Sequence, residues 1–145
     1  ELMDAWPPSL GEALHTSTHL GDPLGCAAAL ATIDEMRRLE LLARAASLGE
    51  TLGRRLASLR DLQGVVAIRG RGLFWGIELA GESLASEIVR GALARGVLLL
   101  QSGVSGATIT LAPPLVIEEP LLWRAVEILE GMLAGIARQI PPERS

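Results

Sequence analysis

The spacing of hydrophobic residues predicts two helices in the first sixty residues. An Ala-rich apolar stretch runs from Pro23 to about Arg38, and a second helical pattern follows it. In the second pattern apolar residues recur every three or four positions, which places them on one face of an α-helix. These positions are Leu42, Ala45, Leu48, Leu52, Leu56 and Leu59. We therefore predict a buried stripe on the second helix, with Arg54, Arg55 and Arg60 on its solvated side.

Two β-like runs follow, and they are separated by a short Gly-rich turn. The runs are Val65–Arg69 and Leu73–Leu79, and the turn is Gly70-Arg71-Gly72. Residues of a strand alternate between the two faces of a sheet. In the second run this alternation puts Leu73, Trp75, Ile77 and Leu79 on one face, and Phe74, Gly76 and Glu78 on the other. The pattern predicts a β-hairpin with one apolar face.

The last third of the chain predicts a helix, two strands and a final helix. Ser83 is placed to cap a helix that ends near Arg95, with Gly96 as its left-handed C-terminal residue. Strands are predicted over Val97–Gln101 and Ala107–Leu111, and Glu118 opens the final helix. The apolar stripe of that helix is Leu122, Val126, Leu129, Leu133 and Ile136. This order of elements predicts an α+β fold, a small antiparallel sheet with helices on one face.

The amino-acid composition of the chain limits the kinds of molecule that it is expected to bind. Hydrophobic residues make up 49% of the 145-residue chain and the mean hydropathy is +0.35. We therefore expect part of the apolar surface to face another part of a larger protein. A net charge of −4 argues against a nucleic-acid partner. No apolar run approaches the length of a membrane span, the start has no signal-peptide pattern, and the lone Cys26 suits a buried position in a reduced, cytoplasmic protein.

A hydroxyl-rich turn before the first helix has the layout of an anion site. Ser17 and Thr18 are neutral donors, Asp22 reads as the N-cap, and Pro23 as the first helical residue. Backbone N–H groups at a helix N-terminus attract anions, and phosphate is the ligand that we expect at such a site. The same residues also suit an ordinary helix start, so spacing alone leaves both interpretations open. A metal pair at His15 and His19 is disfavoured, because no third ligand lies nearby in the sequence.

Three segments together resemble the class III aminotransferases, which use pyridoxal 5'-phosphate. THLGDPLGCAAAL (residues 18–30) is similar to the family pattern T-(F/Y)-x-G-N-P-L-A-C-A-A-A-L. IRGRGLFWGIEL (residues 68–79) resembles V-R-G-K-G-L-x-x-G-I-E-L, and LAPPLVIEE (residues 111–119) resembles F-A-P-P-L-x-I-x-E. The order and spacing of all three agree with the C-terminal part of the family, which includes acetylornithine and ornithine aminotransferases.

The resemblance implies a function, a cofactor and a division of the chain. It implies transfer of an amino group between a small amine or amino-acid donor and a keto acid. Thr18, assisted by Ser17, would contact the cofactor phosphate of the partner subunit in a homodimer. Residues 1–22 would be a lead-in and a phosphate-contacting turn, and they would be the last part of a large domain whose other residues precede this chain. Residues 23–60 would be linking helices, residues 61–140 the small C-terminal domain, and residues 141–145 a tail.

The chain lacks Lys, and several of its residues differ from the family pattern. All 13 basic residues are Arg, so the chain has no primary amine on a side chain to bind the cofactor covalently, and we assign it no catalytic residue. His19 replaces Phe or Tyr, and Asp22 replaces Asn. A carboxylate so near a phosphate must point into its own helix cap or weaken the site. Thr110 stands where many relatives carry an Arg that binds a substrate carboxylate.

A second interpretation needs no missing domain. The chain would then be a stand-alone α+β binding or regulatory module whose first helix binds a phosphorylated metabolite, or nothing. An upstream reading frame with a Lys after a Ser or Thr would favour the aminotransferase.

Overall fold

The computed structural model describes residue 19 and residues 21–138. The chain divides into two compact units, Glu1–Leu39 and Glu40–Ser145. The predicted lead-in, with its helical turn near residues 2–6, lies outside the described residues. The boundaries proposed above for the large domain, the linking helices and the small domain stay a prediction.

The first unit contains one described helix, α1 (Pro23–Arg38), with the predicted bounds. None of its residues is buried, and Leu24 is 81% exposed. Cys26 is also exposed, so its assignment as a buried residue was wrong. The Ala-rich composition favours the helix by propensity.

The described part of the second unit, residues 40–138, holds three helices and a four-stranded antiparallel sheet, as predicted. In chain order the elements are α2 (Leu41–Ala57), β1 (Val65–Arg71), β2 (Phe74–Leu79), α3 (Glu82–Leu93), β3 (Leu100–Ser102), β4 (Thr108–Leu111) and α4 (Glu119–Ala137). The strand order is β1-β2-β4-β3, and every neighbouring pair is antiparallel.

One hydrophobic core joins the three helices to the inner face of the sheet. The predicted stripes of α2 and α4 supply Leu52, Leu56, Val126 and Leu129, all nearly fully buried. The prediction was wrong for Leu42, which is 70% exposed near the start of α2. The sheet contributes Ile77 and neighbouring alternate residues. The opposite face of the sheet is open, because Val66, Phe74 and Leu100 are each more than 60% exposed. The predicted one-sided α+β arrangement is confirmed.

The main differences from the predicted boundaries concern β3, the hairpin turn and the start of α3. The strand predicted at Val97–Gln101 is only β3 (Leu100–Ser102). Leu100 pairs with Thr110, so continuing the ladder would bring Val97 opposite Pro113, which has no N–H to donate. The hairpin turn lies at Gly72-Leu73 rather than at residues 70–72, since Arg71 still pairs with Phe74.

The third difference is the start of α3. Ser83 lies inside the helix, and Gly81 is its N-cap residue, in an extended conformation. Glu82 occupies the first turn, where a negative charge complements the helix dipole. The predicted left-handed glycine after α3 is confirmed, since Gly96 has φ of +80°.

Candidate cofactor-contact segment and sheet surface

The start of α1 is built by a tight turn and an acidic cap. Gly21 has φ of +73°, and the Asp22 N–H donates to the His19 carbonyl at 3.2 Å. An Asp22 carboxylate oxygen accepts a hydrogen bond of 2.7 Å from the Gly25 N–H. Pro23 has no N–H to satisfy. Asp22 therefore points into its own helix, which is one of the two outcomes expected for a carboxylate at this position.

The predicted phosphate contacts, Ser17 and Thr18, lie outside the described residues, as does His15. Their roles therefore stay a prediction. His19 is described and exposed. Among the residues that the structure describes, no group of three or more His, Cys, Asp or Glu could hold a metal ion.

The Gly-rich hairpin packs closely against α2. The Trp75 indole N–H donates to the Gly72 carbonyl at 2.7 Å. A Cβ at Gly70 would lie 2.4 Å from the Trp75 ring, and one at Gly53 would lie 2.6 Å from its far edge. A Cβ at Gly49 would lie 2.4 Å from the Gly72 Cα. The glycines therefore allow α2 and the hairpin to approach each other closely, with the indole between them.

Sequence reasoning missed the contribution of α2 to this contact. Gly49 and Gly53 look like weak helix positions when only polarity is read. Two glycines four residues apart on the buried side of a helix are nevertheless a detectable signal of close backbone approach. The same reading treated Arg55 as a solvated residue, which was wrong.

Arg55 joins α2 to α4. Its guanidinium makes two hydrogen bonds of 2.7 Å to the Glu130 carboxylate and lies 5.7 Å from the centre of the Trp123 ring. The hydrogen bonds that Arg55 donates to the Glu130 carboxylate raise the pKa of Arg55. The pattern placed Arg55 beside the apolar stripe, but it could not show that an acid of α4 lies opposite.

The Ala-Pro-Pro segment after β4 is held by α2. The Arg44 guanidinium donates to the Leu115 carbonyl at 3.1 Å and also to the Ile117 carbonyl. A cavity of about 600 Å³ lies beside this segment. Thr110, Leu100 and Pro113 line it, together with apolar residues of α4.

The side chain of Thr110 is already engaged inside the sheet. Its hydroxyl is 2.5 Å from the Ser102 hydroxyl of β3. Thr110 is therefore a neutral part of the cavity wall, and the cations that line the cavity are Arg95 and Arg124. No helix in the described part of the chain is long and apolar enough to cross a membrane.

Solved structures of transaminases share this architecture. The crystal structure of acetylornithine aminotransferase from Elizabethkingia anophelis superposes with a TM-score of 0.72 at 31% identity, over 92% of this chain and 34% of that one. The family model described as aminotransferase class-III matches residues 1–133. The chain therefore belongs to the class-III aminotransferase family.

Curated relatives agree with this assignment. An acetylornithine aminotransferase of Methanothermobacter thermautotrophicus is 39% identical over 84% of this chain and 30% of its own length. An omega-aminotransferase of Caulobacter vibrioides is 36% identical over 86% of this chain and 29% of its own length. The chain thus spans about 30% of the length of these relatives.

Proposed function

We propose that this chain is part of a pyridoxal-phosphate-dependent aminotransferase, which moves an amino group between an amine or amino-acid donor and a keto acid. The family match over residues 1–133 carries the proposal. We further propose that the complete protein is a cytoplasmic homodimer with a large domain that precedes these residues. Pyridoxal phosphate, when bound, supplies the aldehyde and the electron sink for this chemistry.

The residues of this chain suit the phosphate end of the cofactor and not its aldehyde end. With no Lys, the chain has no side-chain amine to attach the aldehyde. Thr18 and Ser17 are neutral donors that would hold the phosphate of the partner subunit, with backbone N–H groups of the turn that follows. Asp22 is compatible with this role, since its carboxylate is engaged by Gly25.

The same cap disfavours the stand-alone module in the form that binds a phosphorylated metabolite at the helix end. Its anion would bind at the N-terminus of α1, where the Asp22 carboxylate already accepts from a backbone N–H and Pro23 offers none. A second negative charge at that point would meet repulsion from Asp22. The turn before the helix is therefore a better phosphate contact than the helix end itself.

The decisive experiment is Thr18→Val in the complete enzyme. A hydrogen bond to a charged acceptor contributes about 1.5 to 3 kcal/mol, so cofactor binding should weaken by roughly ten- to a hundredfold. Thr32→Val is the matched control, because the Thr32 hydroxyl donates to the Ala28 carbonyl of its own helix. If Thr18→Val lowered thermal stability and left the cofactor dissociation constant unchanged, Thr18 would only shape the helix entry.

Mixed dimers test whether the contact crosses the interface. One subunit carries Thr18→Val, and the other lacks the upstream Lys. The single functional site then lies in the subunit that retains Lys, and its phosphate meets the unmutated Thr18 of the other. Cofactor affinity at that site should equal that of the wild type. Weakened binding would place Thr18 in the site of its own subunit.

We also propose that the substrate is not held by a carboxylate contact at position 110. The Thr110 hydroxyl is paired with that of Ser102, so position 110 itself offers no cation, and a substrate carboxylate would have to bind elsewhere, for which Arg95 and Arg124 also line the cavity. Thr110→Arg in the complete enzyme should shift the preference among glutamate, ornithine and diamine donors towards those with a carboxylate at this end, measured as kcat/KM. An unchanged preference would show that position 110 does not select the substrate.

A further inference from the structure

The segment between β4 and α4 is irregular and contains two prolines. It comprises residues 112–118. Pro113 and Pro114 have no N–H to donate, and the Ile117 N–H closes one turn by donating to the Pro114 carbonyl at 2.9 Å. The position of the segment therefore depends on contacts that other elements make with it.

Arg44 of α2 supplies two such contacts from one half-buried side chain. Its Nε atom donates to the Leu115 carbonyl at 3.1 Å, and its Nη2 atom donates to the Ile117 carbonyl. Because a guanidinium is planar and rigid, two bonds from it fix both the position and the orientation of the segment relative to α2. All three residues belong to the second unit, so these bonds do not depend on what covers the open face of the sheet.

The segment that Arg44 holds also forms a wall of the cavity beside Thr110. Pro113, Pro114 and Ile117 line this cavity of about 600 Å³ together with Thr110. Arg44 is not among the lining residues, so it affects the cavity through the segment. A shift of the segment would change the shape of the cavity next to Thr110, which occupies the position of the substrate-binding Arg of many relatives.

We infer that Arg44 is a positioning residue that fixes the substrate-facing wall of the proposed aminotransferase. The inference rests on the proposed function, since it takes the cavity beside Thr110 to be part of the substrate site. With Arg44 in place, the wall is ordered before the amino donor binds. Without Arg44, the donor must order the wall as it binds, which weakens its binding. A loss of this kind raises KM and leaves kcat nearly unchanged.

The test is Arg44→Met in the complete enzyme, which keeps the length of the side chain and removes its donors. Initial rates are measured at saturating keto acid with the best donor among glutamate, ornithine and diamines. We expect KM for the donor to rise about tenfold and kcat to change less than about twofold. Arg44→Lys can still donate to a carbonyl, so its KM should lie between those of the wild type and Arg44→Met.

Arg55→Met is the matched control for a purely structural effect. Arg55 also reaches from α2 to a later element, but its partner Glu130 does not line the cavity. Both substitutions should lower the Tm, whereas Arg55→Met should leave KM for the donor within about twofold of the wild type. An equal rise of KM in the two variants would overturn the inference, because loss of stability would then explain both.

Hydrogen exchange in the complete protein measures the position of the segment without catalysis. Peptides that cover residues 112–121 should exchange about tenfold faster in Arg44→Met and at the wild-type rate in Arg55→Met. Unchanged exchange in Arg44→Met would show that Arg44 does not hold the segment. Faster exchange with an unchanged KM would overturn the inference and leave the proposed transamination intact. A wild-type protein that transaminates none of the donors would instead contradict the proposed function.

Discussion

Gly49 and Gly135 both lie inside helices, but an added methyl group would meet different surroundings. At Gly49 it would lie 2.4 Å from the Gly72 backbone, and at Gly135 nothing lies within 4 Å. Gly49→Ala should lower the free energy of unfolding by about 1 to 3 kcal/mol, because the backbone of Gly72 must move away. Gly135→Ala should raise it by about 0.5 to 1 kcal/mol through helix propensity.

Urea unfolding followed by Trp fluorescence measures both changes. Effects of the same sign would contradict the close contact between α2 and the hairpin.

The alternation of Leu73, Phe74 and Trp75 was predictable from sequence, because polarity reports which face is buried. The contact of Gly49 was not, because polarity carries no information on the distance between two backbones.

Glu40 separates α1 from α2 and has a left-handed backbone, with φ of 50° and ψ of 39°. A residue with a Cβ is strained there, whereas glycine is not. Glu40→Gly should therefore raise the free energy of unfolding by about 0.5 to 1 kcal/mol, after subtracting the greater freedom of glycine in the unfolded chain. Thermal and urea unfolding measure the change.

Glu50→Gly is the control for this prediction. Glu50 is exposed inside α2, so glycine there should lower the free energy of unfolding by about 1 kcal/mol. If both substitutions destabilise the protein equally, the left-handed conformation of Glu40 is contradicted.

The helices were predictable from sequence at this scale, because their apolar residues recur every three or four positions over several turns. The length of β3 was not, because it depends on Pro113, which follows β4 later in the chain.

For the whole molecule, the absence of Lys determines how the chain meets pyridoxal phosphate. Guanidinium groups do not form the covalent link that a primary amine forms. We expect no stoichiometric adduct when the chain is acetylated at its N-terminus, mixed with the cofactor and reduced with borohydride. Intact mass spectrometry and visible absorbance measure it, and the non-acetylated chain controls for reaction at the terminal amine. A full equivalent bound to the acetylated chain would refute this expectation.

The fold class and family were readable from sequence at this scale, because three motifs keep their order across the chain. The Ser102–Thr110 hydroxyl pair and the cavity beside Thr110 were not. Both join residues of different strands or helices, and their proximity exists only once the sheet register is formed. The phosphate contact of Thr18 remains a prediction from the family pattern.

The irregularity in β1 bears on how many residues this part of the chain needs. Val65 pairs with Leu79 and Ala67 pairs with Glu78, so Val66 is an extra residue in the ladder. The bulge lets Val65 and Ile68 both face the core although they are three positions apart. Loss of Val66 would restore regular pairing without turning either side chain outward. Sequences of different length can therefore share this sheet, provided that the difference falls at Val66.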